Sequence, residues 1–220
     1  MSIPDKSQQS TLQEIESGLL THVSKAEVPY KIVHGWDLKS SAECDRLWKE
    51  GWIALLDQIQ QTEPDKTKQV EILNSISTED FHWDWFSKAV NYNTDEYEWF
   101  HLYAENKPQA VCLIYHPKES ALDPGDIFYV MFVAVSPWNR NCSLRPRQFS
   151  GLGALILKAA QRFAVAELGL RPGFCLHSLP EAEGFYTKLN MVKVDGKEDS
   201  QSLPYFELSE TWATQFMEGY

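Results

Sequence analysis

Ile127-Phe128-Tyr129-Val130-Met131-Phe132-Val133-Ala134-Val135 is an unbroken apolar run, closed by Ser136-Pro137 and followed after a polar stretch by Ser150-Gly151-Leu152-Gly153. A strand alternates polar with apolar wherever one face meets water, so this run predicts a strand covered on both faces and central in its sheet. Pro137 lacks a backbone donor and ends it. Ser150 is placed to cap a helix from Gly151 to Leu168 with Leu152, Leu155, Ile156, Ala159, Phe163 and Ala166 on one face and Gly169 as a left-handed residue at its end. A buried strand feeding a long amphipathic helix predicts an α/β fold.

Outward from that pair, Trp99 to Ala104 and Gln109 to Tyr115 read as two strands joined by the turn Glu105-Asn106-Lys107-Pro108. Before them the period is helical. Ser40-Ser41-Ala42-Glu43 opens a helix to Gln61 that buries Trp48, Trp52, Leu55, Leu56 and Ile59. Pro64 opens a second with Val70, Ile72, Leu73 and Ile76, and Thr78-Glu79-Asp80 caps a third holding Phe81, Trp83, Trp85, Phe86 and Val90. Pro29 to Gly35 reads as the first strand. Residues 1–27 are polar except for Leu12, Ile15, Leu19, Leu20 and Val23 at helical spacing, which predicts an N-terminal helical arm on a single domain over residues 28–220. After the long helix come a strand from Gly173 to His177, a short helix from Glu181 to Leu189, strands at Met191–Val194 and Tyr205–Leu208, and a helical tail.

With 220 residues, 43% of them hydrophobic, and 28 large aromatic rings, the chain has material for one sizeable core, which excludes disorder over most of its length. Its formal charge of −11 disfavours nucleic acid and anionic membrane as partners. Four cysteines without a C-x-x-C pair indicate neither zinc nor a disulfide framework, so no metal is expected. The polar N-terminus has no signal-peptide core, and no apolar run is long enough to span a bilayer, so a cytoplasmic location is expected.

Charge is unevenly spread. Between Trp138 and Arg171 lie six cations, Arg140, Arg145, Arg147, Lys158, Arg162 and Arg171, against Glu167 alone. A basic island beside two glycines at the start of a helix suits a phosphorylated ligand, because first-turn N–H groups and the helix dipole face it and glycine lets backbone approach. The competing reading is a solvated basic face with glycines at a cap. Neither the P-loop pattern nor the dinucleotide fingerprint fits, since Ile156 stands where each needs glycine.

Gln148-Phe149-Ser150-Gly151-Leu152-Gly153 has the [QR]-x-x-G-x-[GA] form of the acetyl-CoA loop of the GNAT N-acetyltransferase superfamily, and Val135-Ser136-Pro137 resembles the V-x-P that ends that family's fourth strand. Ala182 to Met191 is similar to the family's A-x-x-F-Y-x-K-L-G-F segment, with Asn190 in place of the glycine. The resemblance implies a central, mostly antiparallel, splayed sheet flanked by helices. It also implies transfer of an acetyl group from acetyl-CoA to a primary amine of a small molecule or peptide.

Site roles follow from the same resemblance. Backbone amides from Gln148 to Gly153, with Arg147 beside them, are expected to hold the CoA pyrophosphate, and main-chain groups of Val133 and Val135 to pair with pantetheine. Tyr186 falls where the family places the acid that protonates the departing thiolate, a task a phenol suits because thiolate is a competent acceptor. Leu179 replaces an asparagine that commonly touches the cofactor, leaving Ser178 as the nearest polar group. The central strand has no carboxylate where many members carry the base, so Asp126 at its start or a water is expected to serve. His82 and Asp84 are further candidates, with Trp83 and Trp85 as walls for a cationic acceptor; their competing role is the rim of an aromatic core. Residues 138–147 read as an insertion. The alternatives are a non-catalytic acyl-CoA-binding module and, less favoured by the acidic total, an acetyltransferase toxin acting on tRNA. A homodimer is compatible with the sequence.

Overall fold

In the computed structural model, which describes residues 12–219, one mixed eight-stranded sheet organises the described residues. Its strands are β1 (Gln13–Thr21), β2 (Glu27–His34), β3 (Tyr97–Ala104), β4 (Lys107–Glu119), β5 (Asp126–Val135), β6 (Phe174–His177), β7 (Val192–Val194) and β8 (Tyr205–Leu208). The sheet order is β1-β2-β3-β4-β5-β6-β8-β7, and every pair is antiparallel except β5 with β6. The predicted central strand is β5, flanked by β4 and β6 as its continuous apolarity requires.

Helices cover both faces. On one lie α4 (Leu152–Glu167), α5 (Glu183–Lys188) and α6 (Glu210–Glu218), packed on Phe100, Leu102, Cys112, Phe128, Phe174 and Leu176. On the other, α1 (Leu38–Thr62), α2 (Lys66–Asn74) and α3 (Trp85–Asn91) enclose Trp48, Trp85, Trp99, Val111, Leu113 and Ala134. The β3–β4 turn tightens to Glu105-Asn106, both at positive φ, so β4 starts at Lys107.

The N-terminal arm is a strand and not a helix. Residues 13–21 pair antiparallel with β2, and a register shift between Glu14 and Glu16 sets Ile15 and Leu20 on the core side while Leu19 stays 64% exposed. The remainder of the predicted arm, residues 1–11, lies outside the described residues. Two helix starts also move. Asp37 caps α1 by accepting the Ser40 N–H at 2.9 Å, and Asp84 caps α3 by accepting the Ser87 N–H at 2.6 Å. Phe81 and Trp83 therefore precede α3, while Phe81, Phe86 and Val90 are exposed and no part of the core.

Candidate active site

The parallel pair holds only at Phe128↔Phe174 and Tyr129↔Cys175, after which β5 and β6 diverge. A bulge marks the place: Leu113 faces Phe132 and Ile114 faces Val130, so Met131 is the extra residue on β5. The Ser136 N–H donates to the Gln109 carbonyl at 2.9 Å. Peptide groups alternate in direction along an antiparallel strand, so those of Val133 and Val135 turn away from β4 into the gap. There the Val135 carbonyl accepts a bond from Arg140 Nη2 at 3.0 Å.

One end of the gap meets the mouth of α4. Gly151, not Ser150, is the N-cap: its φ of 77° lies in the left-handed region, no side chain caps the helix, and Ser150 is exposed. The Gln148 N–H donates to the Trp138 carbonyl at 3.2 Å, and the Phe149 N–H to Asn139 Oδ1 at 2.9 Å. That leaves the amides of Ser150, Gly151, Leu152 and Gly153 without an acceptor among the described residues. Free donors at the positive end of a 16-residue helix are the arrangement that suits an anion. A pyrophosphate fits this donor set, and the left-handed Gly151 has nothing within 4 Å of where a Cβ would stand.

The loop is held by its neighbours. Val23, in the β1–β2 turn, donates its N–H to the Gln148 carbonyl at 2.9 Å, and the His22 ring meets the Phe149 ring edge-on at 5.2 Å. Asn139 is buried, with Nδ2 donating to Gln109 Oε1 at 2.8 Å and Ser136 Oγ at 2.7 Å. It thus ties the end of β5 to the loop. The insertion does not extend into solvent: Cys142 and Leu144 pack on Trp52, Leu55, Ile59 and Ile76.

The basic island is mostly engaged elsewhere. Arg140 forms a bidentate pair with Asp80 at 2.7 and 2.6 Å, Arg145 reaches the Pro137 carbonyl, and Arg147 donates to Asn141 Oδ1. Arg162 pairs with Glu16, and Arg171 lies against Asp123 and Glu207. Lys158, the sixth cation of the island, lies along α4.

Tyr186, from α5, is 7% exposed. Its hydroxyl has no hydrogen-bond partner among the described residues, yet it is not among their sealed, unpaired polar atoms. Burial, with smaller effects from the charges of Cys112, Asp80 and Tyr129, pushes this phenol far above its ordinary value, so it stays protonated. Ser178 is fully buried and donates its hydroxyl to the Leu179 carbonyl at 2.8 Å, so its hydroxyl proton is already engaged. Asp126 is exposed at the opposite end of β5, and five residues of strand, roughly 17 Å, separate it from Met131. Asp126 does not join the other predicted residues.

On the other side of the sheet is a cavity of about 270 Å³ lined by Asp45, Trp48, Trp52, Asp80, Phe81, His82, Trp83, Asp84, Trp85, Ala134 and Arg140, among others. It gathers all four predicted acceptor residues, and Ala134 places it against β5. Asp84 and Asp45 have structural work there, since Asp45 accepts the N–H groups of Trp85 and Phe86 at 2.8 Å each. Burial raises the Asp45 carboxyl above its usual range.

Two residues that sequence reading placed elsewhere, Asp80 in a helix cap and Arg140 in the basic island, meet here. Asp80 and Arg140 sit between the cavity and the gap, and the segment carrying Asp80 is tied to the start of α5. Glu181 Oε2 accepts Ser77 Oγ at 2.8 Å and the Thr78 N–H at 3.0 Å, while the Glu181 N–H donates to Glu79 at 3.0 Å. In the sequence Asp80 was indistinguishable from a helix cap, because its partner is 60 residues away.

Among the described residues no helix is long and apolar enough to cross a membrane, and no cluster of three His, Cys, Asp or Glu is placed to hold a metal. No protein-family model and no curated protein matches the chain. Solved structures do. An uncharacterized protein from Bacillus halodurans is similar over 94% of this chain and 96% of its own, at 11% identity and a TM-score of 0.55. The Campylobacter jejuni N-acetyltransferase PseH in complex with acetyl coenzyme A aligns over 57% of this chain and 79% of its own, at 12% identity and a TM-score of 0.39. The ribosomal-protein-S18-alanine N-acetyltransferase from Escherichia coli aligns over 64% and 84%, at 18% and 0.40. With its strand order, its single diverging parallel pair and the uncapped helix that follows β5, the chain has the fold of the GNAT N-acetyltransferases.

Proposed function

We propose that the protein transfers an acetyl group from acetyl-CoA to a primary amine carried by a cationic acceptor. The observation that supports this reading is the set of free amides at the mouth of α4 beside the outward-turned peptide groups of Val133 and Val135. We assign the acid to Tyr186, whose phenol burial keeps protonated. Acetyl-CoA supplies an activated acyl carbon. Ser150, Gly151, Leu152 and Gly153 hold its pyrophosphate, and the peptide groups of Val133 and Val135 bind pantetheine as a strand would.

The acceptor enters from the opposite face, where Trp83 and Asp80, the latter paired with Arg140, line the cavity. Trp85, expected as a second wall, is 2% exposed and packed among Trp48, Trp83 and Trp99, so it belongs to the core. Its amine must lose a proton before attack. Asp126 lies too far away, so we assign that proton to His82, which lines the acceptor cavity, through water. As the C–N bond forms and the C–S bond breaks, Tyr186 gives its proton to the departing sulfur and recovers one from solvent. A backbone N–H facing the gap, that of Val133 or Val135, steadies the charge that develops on the carbonyl oxygen.

The test is thiol release with acetyl-CoA and a panel of polyamines, aminoglycosides, amino acids and basic peptides. Release with at least one amine, lost in Tyr186→Phe, supports the reading. Tight CoA binding without release from any amine would favour a non-catalytic acyl-CoA-binding module, a reading kept in view by the absence of a carboxylate along β5 beyond Asp126.

A further inference from the structure

Lys88, on α3, holds its amine between two rings. Its Nζ lies 3.5 Å from the Phe132 ring centroid and 5.2 Å from that of Trp83, and those rings meet edge-on at 4.9 Å. No carboxylate lies within 4 Å of it among the described residues, whereas Arg140, Arg162 and Arg171 are ion-paired. The ammonium exchanges water for ring faces, and this burial lowers its pKa, partly opposed by the charges of Asp84 and Asp45. More of it is therefore neutral at a given pH than of an ordinary lysine, and only a neutral amine attacks a thioester.

The rings belong to the acceptor side of the sheet. Side chains two apart on a strand share a face, so Phe132 points the same way as Ala134, and Ala134 and Trp83 both line the acceptor cavity. Phe132 also stands between the bulge at Met131, where β5 leaves β6, and Val133, whose peptide turns into the gap. A primary amine on a flexible stem is thus held beside the stretch of β5 along which the proposed cosubstrate lies. The chain itself presents the kind of group that an acceptor would bring there.

We infer that Lys88 is an acetylation site that the protein modifies on itself. The inference rests on the acetyl-CoA reading and adds a first acceptor to it. The neutral Nζ attacks the thioester carbonyl, and the amide C–N bond forms as the C–S bond breaks. The departing sulfur takes the Tyr186 proton, the nitrogen releases one to water, and coenzyme A leaves as the thiol. Acetyl-Lys88 carries no charge and loses its attraction to Phe132 and Trp83.

Incubation with acetyl-CoA and no added amine, followed by intact-mass measurement and peptide mapping, tests it. One acetyl group per chain is expected, on Lys88, at a rate independent of protein concentration. Lys88→Arg keeps a cation over the rings, so it should fold with an unchanged melting temperature and take up no acetyl group. Tyr186→Phe should slow the modification of Lys88 strongly. An unmodified Lys88 in a chain that turns over an added amine overturns the inference and leaves the acetyl-transfer reading standing. Acetyl groups spread over exposed lysines, equally in wild type and Tyr186→Phe, also overturn it, because that pattern is unguided chemistry. Lys88 modified while no added amine is turned over upholds the inference and removes the free cationic acceptor from the reading. Neither modification nor turnover overturns both.

Discussion

Asn139 Oδ1 accepts the N–H of Phe149 at 2.9 Å, across ten residues of chain and inside the protein. The same side chain donates to Gln109 and Ser136, so one buried amide fixes how the phosphate loop leaves the end of β5. Asn139→Ala strands the Phe149 donor and removes a donor from Ser136 Oγ, while Gln109 Oε1 keeps the Trp138 Nε1–H at 2.6 Å. We expect a loss of about 2–4 kcal/mol in stability by chemical denaturation, from lost bonds plus an unsatisfied buried donor. Coenzyme A affinity should fall as well, because the loop's four free amides lose their anchor. A stable Asn139→Ala protein with unchanged affinity would mean that the loop holds its shape without this tie.

The two glycines of the loop should respond oppositely to alanine. Gly151 has φ of 77°, so alanine there is strained by about 1–2 kcal/mol although no atom lies within 4 Å of the new methyl. The methyl also stands at the mouth of α4 and should weaken coenzyme A binding by tenfold or more. Gly153 sits inside the helix with ordinary φ, and its nearest foreign atom is in the Phe185 ring at 3.4 Å. Gly153→Ala should leave stability equal or raise it by up to about 1 kcal/mol. Melting temperatures of both variants decide the point, and Gly153→Ala proving the worse of the two would contradict it.

The sequence revealed β5, α4 and the loop between them because each carries its signal locally: nine apolar residues, a regular stripe, and glycines at a helix start. β1 was hidden because its register shift at Ile15 breaks the period of two. Ile15 and Leu20 then share a side at an odd spacing, and the pattern imitates a helix. The start of α3 was hidden because Asp45, forty residues upstream, accepts its first amides. Asp80 and Arg140 became visible as a pair only in the fold, and a count of cations could not show that most of the basic island was already paired.

The Asp80–Arg140 pair is largely shielded, at 11% and 9% exposure, and Arg140 also holds the Val135 carbonyl at the gap. Asp80→Asn leaves a largely buried guanidinium without its counter-charge, which should cost about 2–3 kcal/mol. The same change removes negative charge from the acceptor cavity. KM for a cationic amine should rise while affinity for coenzyme A, bound through α4, stays within about twofold. Comparing charged with neutral acceptors checks this: a KM increase equal for both would assign Asp80 to the fold alone.

His101 is fully buried on β3, stacked between Trp99 and Tyr103, and neither ring nitrogen has a partner among the described residues. Burial lowers its pKa to about 4, below its ordinary 6.5. Above pH 6.5 the ring is neutral folded or unfolded. As pH falls from 6.5 to about 4 the unfolded chain takes up a proton that the folded chain refuses, so stability drains away across that window, by on the order of 3 kcal/mol in all. His101→Leu removes the titrating group and an unsatisfied polar ring together. Its stability should match the wild type within about 1 kcal/mol at pH 7.5 and exceed it at pH 4.5. Parallel slopes of stability against pH in the two proteins would exclude His101 as the source.

In the proposed mechanism Tyr186 sets the shape of the pH–rate curve. Its phenol is held protonated by burial well above the ordinary range, so it can donate but cannot act as a base at physiological pH. Activity should rise with pH as the acceptor amine becomes neutral. Between about pH 8 and 10 it should not fall, because the acid is still protonated where an ordinary tyrosine would be ionising. Tyr186→Phe should lower kcat by about 10²–10³-fold and leave coenzyme A affinity within twofold, since binding is assigned to backbone amides. A fall in rate near pH 9.5 that Tyr186→Phe abolishes would mean that the phenol ionises there and is less deeply buried in the working enzyme. A kcat unchanged by the substitution would pass the proton to solvent and take the acid role from this residue.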